Sequence, residues 1–290
     1  MKYIDLHTHS TASDGTYTPS EIIKIAEDCK LSAVALTDHD TVAGLDEFVE
    51  AAKSSSVTAV PGIEVAANWN YREVHILGYW VSTSNDKLNT LLEEVRNNRN
   101  NRNIKIIEKL NSNGLEISID EVKEIAKGES IGRPHIASIL VSKGYFETLK
   151  DVFSTCLARG GTGYQPRILP EPKVAIDAIH QAGGIAFWAH SMHRNKTLSK
   201  YANLKSDIIE LVNNGLDGIE AYYSQYSYNQ QIKLLKYAKE LNLPVSGGSD
   251  FHGDNQPSIK MGTGVDSLKV PASVLDDLVT YYASSKKVDC

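Results

Sequence analysis

Cysteine is scarce: Cys29, Cys156 and Cys290 are the full complement of a 290-residue chain, an odd number with no CxxC pair. That excludes a disulfide framework and a thiolate zinc site, and it points to a reducing compartment. Long apolar runs are also missing. No stretch approaches the ~20 residues needed to span a bilayer, and MKYIDLHTHS leads into a strand-like segment without the apolar core of a signal peptide. The expectation is a cytoplasmic protein with no membrane partner. Positive charge is not in excess: a formal net charge of -6 offers long DNA no general field, so an anionic ligand must be drawn locally. There is no internal repeat, and local bias is confined to RNNRNNRN at 96–103. The remaining composition, 41% hydrophobic and 23% charged, is that of a globular chain long enough to bury its own core.

Seven short apolar runs alternate with helical patterns: 3–6, 33–37, 57–65, 74–80, 184–189, 217–223 and 243–248. Thr18-Pro19-Ser20-Glu21 combines a capping box with proline at the first helical position, so a helix starts there. Alternating strand and helix implies an α/β fold on a parallel sheet, closed or open. Residues 86–165 break the alternation and read as helices over 86–112, 119–127, 134–143 and 146–157. This divides the chain into 1–85 with 166–290 and a helical insertion at 86–165 that could cap a site.

His7, His9, Asp14, His39, Glu64, His75, His190, Asp250 and His252 are candidate metal ligands. His7 and His9 follow the first run, His39 the second, His190 the fifth, and Asp250 and His252 the seventh, which are the strand ends where β/α barrels build active sites. His75 sits near the start of its run instead, so that strand should run in another direction or form a hairpin with the Glu64 segment. So many ligands are too many for one zinc, which takes about four, so two or three ions are required. Mixed imidazole and carboxylate donors suit Zn, Mn or Fe. Three divalent ions against the carboxylates of Asp14, Glu64 and Asp250 leave positive charge that a phosphate dianion and a bridging hydroxide would neutralise.

Several neighbours read differently. Asp38 could orient a ligand from behind, and Asp40 reads as the cap of the following helix. His180 reads as a helix-end residue, and His193 is a weaker candidate for substrate contact. Glu220 could order water, hold substrate or simply pack. Tyr222, Tyr223, Tyr226 and Tyr228 read as a partly exposed aromatic surface, with base stacking as the alternative. In the first insertion helix, Arg99 and Arg102 interrupt an apolar face made by Leu88, Leu92, Val95, Ile106 and Leu110, which suggests that they bind substrate phosphate.

In order, DLHTHSTASDG, ALTDHDT, PGIEV, HILGY, GRPH, GGIAFWAH, GIEAYY and SDFHG span the chain. With these motifs the sequence resembles the PHP family, named after polymerases and histidinol phosphatases, and within it the bacterial nucleotide phosphatases and exonucleases acting on short RNA. The resemblance implies a distorted seven-stranded (β/α)7 TIM-like barrel with a helical insertion and a centre of three divalent ions. It assigns His7, His9, Glu64 and Asp250 to one ion, Glu64 with His75 and His190 to a second, and Asp14, His39 and His252 to the third. It also implies that Arg133 and His135 of GRPH bind the substrate phosphate, a role suited to arginine's planar fork. The implied reaction is phosphoester hydrolysis by a metal-bridging hydroxide, with no protein nucleophile, on a small nucleotide such as a nucleoside 3′,5′-bisphosphate or at the 5′ end of a short RNA. The chain departs from the pattern at Ser191, where proline is common, and in GGTGYQP at 160–166, which lacks an expected lysine. Two other readings stay open: a histidinol-phosphate phosphatase, and a non-catalytic module that keeps the fold to bind metal or a partner.

Overall fold

A computed structural model describes residues 2–70, 72–126, 132–192, 203–265 and 267–285. His193 lies outside the described residues. The chain forms two compact units, Met1–Leu91 with Pro170–Cys290 and, separately, Leu92–Leu169.

The first unit is built on β1 (Tyr3–Thr8), β2 (Ala33–Leu36), β3 (Thr58–Trp69), β4 (Arg72–Tyr79), β5 (Ile185–Trp188), β6 (Gly218–Tyr223), β7 (Val245–Gly248) and β8 (Val270–Pro271). They lie in the order β7-β6-β5-β4-β3-β2-β1-β8. Each of the seven apolar runs became a strand, and β8 is an addition of two residues beside β1. The sheet is not uniformly parallel: β4 runs antiparallel to β3 and β5, and β8 to β1. The offset of His75 is thereby explained, since it stands on the second arm of a β3–β4 hairpin.

The edges nearly meet, making a distorted barrel of eight strands rather than seven. Beyond β7, the Asp250 N–H donates to His7 O at 2.9 Å, and the His9 N–H donates to Phe251 O at 2.9 Å. Ile4, Leu6, Ala35, Leu77, Tyr79 and Phe187 fill the interior. Helices cover the outside, so the strands are apolar on both faces and read as continuous runs. One of these, α1 (Pro19–Asp28), starts with the expected capping box: Thr18 Oγ1 accepts the Glu21 N–H at 3.2 Å and Glu21 Oε2 accepts the Thr18 N–H at 2.8 Å.

Gly248 is where the seam comes closest. A Cβ there would lie 2.3 Å from His7 N and 2.4 Å from His7 Cβ. Gly248→Ala should therefore cost ~1–3 kcal/mol through overpacking and lower the Tm by several degrees in a thermal melt. An unchanged Tm would contradict so close an approach.

In the second unit, α3 (Asp86–Ser112), which begins in the first unit, α4 (Ile119–Ala126) and α5 (Arg133–Ser142) are followed by the single turn α6 (Leu149–Asp151). A π-helical turn, Val152–Cys156, continues α6. The core here is Ile106, Leu110, Val122, Ile136, Leu140 and Val152, among others. The segment 146–157 was expected as one helix; Thr148 instead caps a later start through its side chain.

Candidate metal centre

The carboxyl ends of β1, β2, β5 and β7 bring His7, His9, His39, His190, Asp250 and His252 to one rim. Strand alternation puts His7 and His9 on one side. Glu64 and His75 join them across the hairpin, where Glu64 pairs with Leu77 and His75 with Ala66, so the two lie diagonally on the same face. His190 (φ 30°) and Asp250 (φ 61°) both adopt left-handed backbone, a strained state that accumulates where function over-determines the chain.

Glu64, fully buried, is the hub. Its Oε1 lies 2.9 Å from both His75 Nδ1 and His190 Nε2, and its Oε2 lies 2.8 Å from His39 Nδ1, 3.4 Å from His9 Nε2 and 3.5 Å from His7 Nε2. Asp250 Oδ1 sits 3.2 Å from His9 Nε2 and 3.4 Å from His7 Nε2. Asp14 Oδ1 meets His252 Nε2 at 3.3 Å. Three sets have ligand atoms mutually within 4.8 Å: His9, Asp14, His39 and His252; His7, His9, Glu64 and Asp250; and His39, Glu64 and His75.

The fit to metal rests on what these atoms fail to do. His7 Nε2, both ring nitrogens of His9 and Glu64 Oε2 are buried and make no aligned hydrogen bond, even where, as between Glu64 Oε2 and His39 Nδ1, the atoms lie 2.8 Å apart. Such orphans are rare in a folded protein unless an ion satisfies them. Imidazole nitrogens and carboxylate oxygens converging in this way are a donor set for borderline divalent metals.

A supporting layer is less evident in the sequence. Asp38 accepts from the Ser10 N–H and the Ser10 and Ser13 hydroxyls, fixing the loop that carries His9 and Asp14. Asp5 accepts from the Ser249 and Gly262 N–H groups. Tyr223 donates to Asp250 Oδ2 at 2.9 Å, and Glu73 Oε1 lies 3.2 Å from His75 Nε2. Asp40 does not cap the next helix, α2 (Leu45–Ala52), whose N-cap is Gly44; its Oδ1 accepts the Ala66 N–H at 2.9 Å instead. The four tyrosines differ in burial, and the rings of Tyr223 and Tyr226 pack together with centroids 5.0 Å apart. Tyr223 is buried, Tyr222 packs on the barrel core, the Tyr226 hydroxyl accepts the Met192 N–H, and Tyr228 alone of the four is exposed. His180 does end a helix, α7 (Pro172–Gln181), with Nε2 2.7 Å from Asp217 Oδ2.

The remaining four candidates belong to the second unit. Arg133 begins α5 with its guanidinium over the Phe153 ring at 5.8 Å. His135 Nδ1 accepts the Gly132 N–H at 3.1 Å. Arg99 is half-buried on α3, and the buried Arg102 donates from Nε to Gln165 O at 2.8 Å.

The model of the PHP domain matches residues 5–241. The chain belongs to the PHP domain family. Similar to it is a 5′-3′ exoribonuclease of Haemophilus influenzae, 36% identical over 87% of this chain and 90% of that one. So is a 3′,5′-nucleoside bisphosphate phosphatase of Chromobacterium violaceum, 31% identical over 90% of this chain and 91% of that one. Among solved structures, one from Bifidobacterium adolescentis described as a metal-dependent phosphoesterase superposes with a TM-score of 0.81 at 32% identity, covering 96% of both chains. Like these relatives, this PHP protein is a hydrolytic phosphoesterase. Among the described residues, no helix is long and apolar enough to cross a membrane.

The electrostatics of the PHP site give a testable pH dependence. Burial alone would lower His75, but Glu64 and Glu73 outweigh it and push its pKa up to about 10. Burial is likewise outweighed for His252, where Asp250 and Asp14 raise it to about 9. Burial and the neighbouring His252 and His39 hold His9 down at about 3, so it stays neutral. A raised histidine stabilises the fold fully below its unfolded pKa, ~6.5, and that contribution is lost as pH climbs through the folded value. The chelator-treated protein should therefore lose thermal stability from pH 6.5 to 10, and metal-loaded protein should lose less because ions take the place of the protons. A flat profile for the metal-free protein would contradict the pairing.

Proposed function

We propose that the chain hydrolyses phosphate esters of small nucleotides, such as nucleoside 3′,5′-bisphosphates, or releases 5′ nucleotides from short RNA. The observation that carries this reading is the Glu64 carboxylate within 2.9 Å of three imidazole nitrogens, amid buried ligand atoms that make no aligned hydrogen bond. In it, His7, His9, Glu64 and Asp250 hold one divalent ion, Glu64, His75 and His190 a second, and Asp14, His39 and His252 a third. Bound ions of Mn, Zn or Fe supply a nucleophile at neutral pH and offset the charge of the phosphate. The protein itself binds and orients: Arg133, His135, Arg99 and Arg102 bind the substrate phosphate. His135 suits this as a donor, because an Nδ1 that accepts from Gly132 leaves the proton of a neutral ring on Nε2.

The relatives named for RNA and nucleoside bisphosphates favour nucleotides over histidinol phosphate. Purified protein with Mn should release phosphate from a nucleoside 3′,5′-bisphosphate or nucleotides from an oligoribonucleotide, and turn over histidinol phosphate more slowly. Faster turnover of histidinol phosphate would reverse the assignment, and inertness of metal-loaded protein on all three would favour a binding module. Arg99→Ala and Arg102→Ala should raise KM severalfold for the preferred substrate; unchanged KM in both removes them from the phosphate site.

A further inference from the structure

Glu220, on β6, is fully buried, and both of its oxygens are engaged by N–H groups. Its Oε1 lies 2.8 Å from His7 Nδ1, and its Oε2 accepts the His190 backbone N–H at 2.6 Å. It belongs to none of the three candidate ligand sets. The two histidines it touches stand on opposite sides of Glu64: His7 Nε2 is near Oε2 at 3.5 Å, and His190 Nε2 is near Oε1 at 2.9 Å. We propose that Glu220 is a positioning residue that yokes two metal positions, orienting His7 through its ring and His190 through its backbone. This rests on the metal centre proposed above.

The physical argument has two arms. A neutral imidazole carries one N–H, and a carboxylate beside Nδ1 selects the form with hydrogen on Nδ1, which leaves the Nε2 lone pair for an ion. His190 holds a left-handed backbone, φ 30°, that a residue with a side chain rarely adopts. The short charge-assisted bond from its N–H to Glu220 Oε2 fixes that conformation, and with it the direction of the ring towards Glu64. One carboxylate therefore sets a ligand of two of the three ions, so its loss should weaken both positions at once.

Glutamine at this position separates the arms. Its amide offers one oxygen and one NH2, whereas two N–H groups need acceptors, so whichever way it turns one donor faces another. The test is a titration of Zn into metal-stripped protein, followed by calorimetry and by mass-spectrometric ion counts. Glu220→Ala should weaken two ions by about 10–100-fold and spare the third, while Glu220→Gln should recover one of the two. Weakening of one ion or none by Glu220→Ala overturns the yoke. Should Glu220→Ala not fold, long-range 1H–15N spectra of the Zn-loaded wild type decide: hydrogen on His7 Nδ1 supports the proposal, and metal on Nδ1 overturns it. Wild-type protein that takes up no metal would instead refute the centre itself, a result distinct from any change between variants.

Discussion

Glu64→Gln is expected to lower kcat/KM by about a thousand-fold, the several kcal/mol that metal-supplied charge stabilisation contributes to such reactions. Burial would raise this carboxyl, but His39, His75, His7 and the hydrogen bond from His190 outweigh it and hold it well below the usual carboxylate range. The anion is therefore kept ionised without exposure to water, the state required of a ligand shared between ions. Glutamine preserves its shape and removes both its charge and its capacity to bridge. Mass spectrometry of native protein should show fewer bound ions, and phosphate release should fall in step. A variant that keeps its metal and its rate would remove Glu64 from the centre.

Arg133→Ala should lower kcat/KM about a hundred-fold on the preferred nucleotide while leaving metal content unchanged, since a charge-assisted contact contributes about 1.5–3 kcal/mol. Arg133 opens α5 ahead of Pro134, whose ring fixes the first turn, and its guanidinium rests over Phe153. That stacking restricts the side chain before it meets a ligand. Arg133→Lys should recover little, because an ammonium reproduces neither the planar fork nor the stacking. Wild-type kinetics in Arg133→Ala would place the phosphate elsewhere, and loss of metal alongside rate would make the residue structural.

The parts of the fold legible in the sequence were those with a strong local signature. Seven strands announced themselves as apolar runs because both faces are buried, and α1 announced its start through Thr18, Pro19 and Glu21. The two-residue β8 carries no periodicity at all, and its place is set by pairing with β1. Six of the nine candidate ligands were legible because metal-binding residue types recur at strand ends, where little else explains them, while Glu64 and His75 lie within the β3–β4 hairpin and Asp14 in the loop after β1. Glu220 was harder to interpret: one acid inside GIEAYY suits packing, water or substrate equally, and only the approach of β1 and His190 decides among these. Asp40 shows the opposite failure. An aspartate ahead of a helix has the signature of a cap, yet its left-handed backbone (φ 54°) accompanies a side chain bonded to β3. Local sequence describes the bond such a residue could make, and tertiary structure supplies a competitor.

The seam between β1 and β7 also bears on synthesis. His7 and Asp250 exchange a backbone hydrogen bond across nearly the whole barrel chain, and Asp5 binds the Ser249 N–H from 244 positions away. Contacts of such sequence separation form late, after much chain entropy has been lost. A nascent chain that has not yet emerged past Asp250 lacks the closing side of the barrel and two of the candidate ligands, Asp250 and His252. A break in the chain ahead of β7 therefore leaves the other candidate ligands without Asp250 and His252, whatever order the earlier strands form in.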